Sequence, residues 1–536
     1  MIKRWALAIF VAVFAFYLFA SSREPVWGDA RGMWEVAERL ITKGRLDITT
    51  KWPEDIPPGR NGLTWGIAPI GPSLAHVPGA VIASAAHGID SKYDRLARPL
   101  AMHVGPSALG ALACVMFFLL LVDLGIRRRT ASVCTAILAC ATTTMVYARM
   151  PYSEILQLAC FIGFFRQVLL TAETPSRKHA LWFGAWAGML LNAKYVFASA
   201  IFGGAVLVAW TLRKRRADLI TVLSWGAVTG VPFVMLALFY NWWRWGSITA
   251  TGYEPYLDIY FGGSMFDGAW GTLLSPNKSA FLYSPPLVLA ILGMPKAFRA
   301  KPRLGFAMLA MVVPVFLVYS TYRSWSGDYA WGPRFFVWAT PVVLVPIGFF
   351  VDNAGRAKKA VIGAVFALGF AVQILGSSLY WDHWIRVAID VKNQWLGQPN
   401  RSGAYIDPKG RGHCDSCFED TYEVLWTPPL HPIRGHWWLL KTIARDNGDQ
   451  ADAPWRSYTK LPMNLGGSLP RARVDWWGLI WLKDDPKTQT GGVIVLLLLL
   501  GLLSYGSASW IRLHRIESAR DADAPDRPDG SEKHSP

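Results

Sequence analysis

The residues best suited to chemistry in this chain are ionisable groups at the ends of apolar runs. Asp29 follows Trp27-Gly28, a few residues beyond an apolar run from Trp5 to Ala20. A carboxylate at the mouth of a first membrane helix can take a proton from a hydroxyl on a lipid-borne substrate. Such general-base work is worth about 10²–10⁴ in rate. An amphipathic stretch from Ala30 to Ile41 follows and ends at Gly44, so Asp29 is also placed to cap a helix. Glu154, shortly after Pro151, opens another apolar run. An acid there is favoured by the helix dipole, and an ionisable group at that depth usually faces a polar cavity. It is the candidate second carboxylate, steering an acceptor or holding a divalent cation with Asp29, although two acids alone make a thin metal site. Lys194, at the tip between two short apolar runs, and Arg334, after Gly332-Pro333, suit an interfacial phosphate. Arginine would grip it with a fork and lysine as a compact point charge, the alternative being snorkelling to lipid headgroups. Lys278 and Arg149 are weaker candidates of the same kind, Arg166 is placed to snorkel, and His103 fits a core histidine.

The elements that must position these groups are membrane helices. Of 536 residues, 52% are hydrophobic and only 17% charged, against about 25% charged in soluble domains. Apolar spans lie near 3–20, 98–123, 130–148, 150–171, 180–193, 195–212, 219–241, 285–298, 304–322, 335–351, 360–380 and 491–511. The fold class is therefore an all-α polytopic membrane protein of about 11–13 transmembrane helices. The first run has no small-x-small cleavage site before Arg23 and reads as a retained helix rather than a signal peptide.

The net charge of +17 is gathered in Lys3-Arg4, Arg127 to Arg129, Arg213 to Arg216, Lys296 to Arg303, Arg356 to Lys359 and Arg512 to Arg520, between the spans. That distribution marks cytoplasmic loops and argues against nucleic acid. It implies a multi-pass cell-membrane (inner or plasma membrane) protein with both termini cytoplasmic and the site on the outer face. The pair 180–212 then reads as a hairpin of short helices broken at Asn192-Ala193-Lys194, because Arg177-Lys178 and Arg213 to Arg216 must share a side. Residues 21–97 form a first outer loop, in which Ile67 to Ala86, interrupted by Pro69, Pro72 and Pro78, is expected along the membrane surface. Residues 1–380 make a core, 381–490 a small outer (periplasmic) domain, 491–511 the last transmembrane helix and 512–536 a disordered cytoplasmic tail.

Several outer segments carry recognisable pieces. These are Gly28-Asp29 with its amphipathic helix, Asn241-Trp242-Trp243-Arg244-Trp245-Gly246-Ser247 with Thr251-Gly252-Tyr253, Leu273-Leu274-Ser275-Pro276-Asn277-Lys278 with Leu282-Tyr283-Ser284-Pro285, and Trp325-Ser326-Gly327-Asp328 with Trp331-Gly332-Pro333-Arg334-Phe335. In this order, over roughly residues 1–380, they resemble the bacterial branch of the GT-C membrane glycosyltransferases, kin of protein O-mannosyltransferases and lipid A aminoarabinose transferases. Many relatives follow the first-loop Asp with a second acid, where this chain has Ala30. The resemblance implies a GT-C-like fold and an inverting transfer of a sugar from a polyprenyl-phosphate donor to an unknown glycan, lipid or protein acceptor. Asp29 would be the base and Glu154 the second carboxylate. Lys194, Arg334, Lys278 and Tyr253 would bind the donor.

Two other readings compete at the level of the whole chain. Many spans with scattered charges also fit a transporter or lipid flippase, but no internal repeat is visible. The Ala30 departure fits a non-catalytic subunit of an envelope glycan assembly. Cys414 and Cys417 with His431 and His436 match zinc-site spacing. However, Trp426-Thr427-Pro428-Pro429 is poor material for a finger helix, and an outer-face pair of thiols favours a Cys414–Cys417 disulfide. The remaining cysteines, Cys114, Cys134, Cys140 and Cys160, fall in apolar spans as packing residues.

Overall fold

The computed structural model describes residues 1–23, 28–49, 58–89, 91–327, 330–381, 384–385, 388, 404–406, 412–414, 424–445, 450–451, 472–482 and 486–523. Ten helices lead the described chain: α1 (Ile2–Phe19), α2 (Asp29–Lys43), α3 (Ile70–Ile89), α4 (Ser91–Asp123), α5 (Arg128–Ala141), α6 (Thr143–Ala148), α7 (Glu154–Glu173), α8 (Arg177–Ala193), α9 (Ala198–Leu212) and α10 (Arg216–Trp245). Among the longer helices that follow are Met265–Leu274, Pro286–Ala300, Pro302–Ser320, Arg356–Ser378, Pro432–Arg445 and Pro486–Asp523. The described strands are two short antiparallel pairs, Ala404–Ile406 with Gly412–Cys414 and Gln450–Ala451 with Ala472–Arg473.

The all-α polytopic reading holds. Among the described residues, eight helices are long and apolar enough to cross a membrane. The other four expected spans, 130–148, 180–193, 285–298 and 335–351, are shorter or broken. Thr142 divides α5 from α6, and 335–351 becomes three short turns of helix around Pro341 and Pro346. α7 is the central post, with 83% of its apolar window buried, whereas the windows of α10 and of the last helix are 17% buried and lie at the periphery.

The pair 180–212 forms the expected hairpin. α8 and α10 run parallel: the Thr229 hydroxyl donates to Leu181 O at 2.6 Å, and the Asn192 amide donates to Phe233 O at 2.9 Å. The intervening α9 must therefore return the chain, and the Arg177 guanidinium lies 5.3 Å from the Trp225 ring near the start of α10. Gly184 and Gly188 of α8 face Gly226, Thr229 and Phe233 of α10 so closely that a Cβ on Gly184 would stand 1.9 Å from Gly226 O. Apolar surface gives helices little reason to associate in lipid, so close packing through such small residues does that work.

The two ends of the bundle differ in kind. At one end Arg127 pairs with Asp352 at 2.9 Å and Arg128 with Glu517 at 2.7 Å, gathering the basic turn, the start of the chain and the end of the last helix. That last helix runs on to Asp523, so the expected disordered tail from 512 is helical for its first twelve residues, pinned by Glu517 and by His514 against Ser132. At the other end Arg149 and Asp475 form an ion pair at 3.0 Å, with side chains only 1% and 0% exposed. Arg149 also donates to Ala20 O, Ser22 and the Arg23 amide donate to Asp475, and the Trp476 and Trp477 indoles donate to Phe19 O. The segment around 475 thus seals the end of α1 and fixes the start of the loop toward Asp29. Arg149, a phosphate candidate by sequence, is occupied here.

Ile67 to Ala86 is also corrected in part. Ile70–Ile89 is one helix through Pro78, packed antiparallel along the beginning of the spanning part of α4, Gly79 against Ala101 and Gly105 against Ala75. Much of 381–490 lies outside the described residues, including Cys417, on which the disulfide expectation depends, and nothing is described of the Cys414 side chain. The described part packs on the core: Ser275 and Asn277 donate to Leu425 O, Val424 O and Thr427 O, and His436 bonds Leu375 O at 2.9 Å beside the Trp331 ring.

Burial alone would raise the Asp475 carboxyl, but Arg149, the Ser22 hydroxyl and the Arg23 amide more than offset this and hold it below its ordinary value. A depressed carboxylate stabilises the fold fully above the ordinary carboxylate range and loses that contribution as pH falls through the folded value. Asp475→Asn therefore lowers the thermal midpoint of the detergent-purified protein, since breaking a buried pair costs about 3–5 kcal/mol. The variant should also lose part of the wild-type destabilisation seen on acidification, measured as melting curves against pH.

Candidate functional site

Three sequence-distant residues meet at the sealed end. Gly28, at φ 58° and ψ −140°, turns the chain into α2, a conformation open to glycine and costly for a side chain. Asp29 is the first residue of that helix, not its cap, and its side chain stays 45% exposed. The helix is held by Asp47, which accepts from Arg39 and Arg45 across the turn after Gly44. Glu154 is the first residue of α7, and its side chain is 1% exposed. Arg334 lies between them, with Nε 2.6 Å from Glu154 Oε1 and Nη2 3.5 Å from Asp29 Oδ2. Its guanidinium stacks over Tyr152 at 4.9 Å.

The two carboxylates are not equivalent. Glu154 is buried and tightly bonded, which makes it the anchor of the guanidinium. Asp29 is looser and open to solvent, which leaves its oxygens able to meet a substrate proton. Arg334 occupies the place a divalent cation would need between them, so the pair does not fit a metal shared by Asp29 and Glu154. Among the described residues no group of three or more His, Cys, Asp or Glu converges as a metal site.

Asp29 heads a narrow cleft of about 30 Å³, partly open to solvent, lined also by Met33, Ser153, Lys194, Tyr240 and Tyr253. Lys194 sits in the break after α8 with extended backbone at φ −167° and ψ 136°. Its ammonium caps the stacked rings of Tyr319 and Phe335, 5.5 and 5.3 Å from their centres. Tyr253 is carried by a loop pinned from within, as Glu254 accepts from the Thr251 amide and hydroxyl and from the Gly252 amide at 2.7–2.9 Å. Burial, and then the charge of Asp29, push the Tyr253 phenol above its ordinary value, so it offers the cleft a neutral hydroxyl.

The structure thus brings Asp29, Glu154, Lys194, Arg334 and Tyr253 together and leaves Lys278 out. Lys278 is fully buried, and its ammonium donates to the carbonyls of Ser326, Ala330 and Gly332 at 3.3, 2.5 and 3.3 Å. It is an internal cation that ties down the loop leading to Arg334, with its ammonium spent on those carbonyls. Sequence reasoning missed two polar groups near the cleft. His76, buried on α3, bonds Pro151 O at 3.2 Å just before Glu154 and meets the Trp34 ring edge-on. Arg244 bonds the cleft wall at Gly66 and Ala68. Arg244 stood inside the Trp-rich motif, where an arginine followed by Trp245-Gly246 at a helix end was the available signal.

No family model matches this chain, and no curated protein matches it. Among solved structures, the crystal structure of ArnT from Cupriavidus metallidurans bound to undecaprenyl phosphate is similar at 14% identity, covering 96% of this chain and 78% of that chain, with a TM-score of 0.47. ArnT from the same organism in the apo state is similar at 15% identity, covering 82% and 79%, with a TM-score of 0.46.

Replacing Lys278 by Met removes the donor from three buried carbonyls, and each orphaned acceptor costs about 1–3 kcal/mol. Lys278→Met should melt well below wild type in detergent, whereas Tyr253→Phe, which loses one cleft hydroxyl, should melt close to it.

Proposed function

We propose that this chain is an integral-membrane glycosyltransferase that moves a sugar from a polyprenyl-phosphate donor to an acceptor hydroxyl, with inversion, at the sealed end of the bundle on the outer face of the membrane. The observation that carries the reading is the exposed Asp29 and the buried Glu154 sharing Arg334 at the head of a cleft that also holds Lys194. The order of the motifs shared with GT-C enzymes supports the same reading.

The acceptor oxygen attacks the anomeric carbon while its proton passes to the Asp29 carboxylate. The bond from that carbon to the phosphate oxygen breaks, and polyprenyl phosphate leaves with the electron pair. Lys194 and Arg334 supply fixed positive charge where negative charge grows on the leaving group, and preorganised charge of that kind is usually the largest catalytic contribution. Glu154 acts through Arg334, keeping the guanidinium in place. The Tyr253 hydroxyl contacts the sugar or its phosphate. Apolar lining from Met33, Val36, Ile48, Ile67 and Pro69 suits the first isoprene units.

The test is release of polyprenyl phosphate from a panel of radiolabelled polyprenyl-phosphate sugars by the protein in lipid. Asp29→Asn should keep the wild-type melting point and lose about 10²–10⁴ of the rate, and chelator should leave the wild-type rate unchanged because Arg334 already compensates the carboxylates. Wild-type release by Asp29→Asn would remove the base, and abolition by chelator would reopen the metal.

A further inference from the structure

Arg244 is fully buried at the end of α10, and among the described residues no carboxylate pairs with it. Its guanidinium is met by neutral oxygens. Nη1 donates to Gly66 O at 2.5 Å and Ala68 O at 3.1 Å, Nη2 donates to Asn241 Oδ1 at 2.9 Å, and Nε reaches Tyr240 O at 3.4 Å. The group also stacks over the Tyr240 ring at 4.1 Å. An unpaired buried cation is expensive, and an arginine fork keeps its charge while fixing several partners at once.

What those partners do is specific. Gly66, Ala68 and Tyr240 line the cleft. Asn241 Oδ1 accepts a second hydrogen bond, from the Tyr195 hydroxyl at 2.8 Å, while Asn241 Nδ2 donates to Ile248 O at 3.3 Å. Tyr195 directly follows Lys194, the cation that lines the same cleft. One carboxamide oxygen therefore joins a buried arginine to the residue next to the cleft lysine.

We propose that Arg244 is a positioning residue: through Gly66 and Ala68 it fixes part of the cleft lining, and through Asn241 and Tyr195 it sets the place of Lys194 in the same lining, so that affinity for a lipid-linked phosphate is governed from behind the site. The proposal rests on Lys194 meeting that phosphate. It makes Tyr195 and Arg244 one energetic unit although neither needs to touch the ligand.

The experiment measures binding of radiolabelled undecaprenyl phosphate to the full chain in nanodiscs, for wild type, Tyr195→Phe, Arg244→Lys, the double variant and Lys194→Met. Tyr195→Phe deletes one hydroxyl and keeps the ring, so folding is preserved and this variant carries the test even where Arg244→Lys folds poorly. Tyr195→Phe and Arg244→Lys should each weaken binding about three- to tenfold, the size of a lost hydrogen bond. The double variant should bind no more weakly than the worse single one, as groups in one network are not additive. In turnover, KM for the donor should rise with kcat within twofold. A role in stability alone would lower the yield of folded protein and leave the affinity of the folded fraction at the wild-type value, which would overturn the proposal, as would multiplicative effects in the double variant. Wild-type affinity of Lys194→Met would instead remove the phosphate contact on which the inference rests, whereas a loss there with an unaffected Tyr195→Phe overturns the inference alone.

Discussion

A guanidinium held between two carboxylates is the constraint around which the sealed end of this protein is arranged. Arg334, Glu154 and Asp29 come from three separate stretches of chain; the buried Glu154 depends on Arg334 to answer its charge, whereas Asp29, 45% exposed, also has water. Removing one partner of a buried pair leaves a charge that the surroundings cannot solvate. The fold must therefore deliver Glu154 and the guanidinium together. α7 brings Glu154 up the centre, the Gly28 turn brings Asp29 in from the side, and the loop from Ser326 to Gly332 lowers Arg334 between them. The same arrangement divides the carboxylates into a buried holder and an exposed one.

Around that triad lie two further buried arginines, each solved differently. Arg149 meets a carboxylate from a segment 326 positions away and closes the end of α1. Arg244 is surrounded by backbone carbonyls and one carboxamide. Both sit at helix ends, Arg149 just past α6 and Arg244 in the last turn of α10, and both reach carbonyls of other segments, Ala20 O for Arg149 and Gly66 O and Ala68 O for Arg244. Backbone carbonyls thus answer part of each charge, which offsets the cost of burying it.

Much of this was legible in the sequence, for a physical reason. Ionisable side chains at the ends of apolar runs are costly, so Asp29, Glu154, Lys194 and Arg334 stood out, and the structure gathers them. The hairpin at Lys194 was legible because basic flanks on both sides forbid an odd number of crossings. What a linear reading could not show was who answers each charge. Lys278 and Arg149 had the same signature as Lys194, an exposed-looking cation in a loop between spans, and only the fold reveals the carbonyls and the aspartate that surround them. Hydropathy windows also average across breaks, so Thr142 and Pro346 were invisible inside 130–148 and 335–351. The paired glycines of α8 and α10 carry their meaning only once the two helices are known to be parallel.

Lys278 has a consequence of its own. Its ammonium stands among converging carbonyls much as a potassium ion stands in a coordination shell, but it is tethered by its own side chain. The stretch that leads to Arg334 is therefore tied to a cation fixed on another part of the chain. No ion has to be recruited from solution to answer those carbonyls.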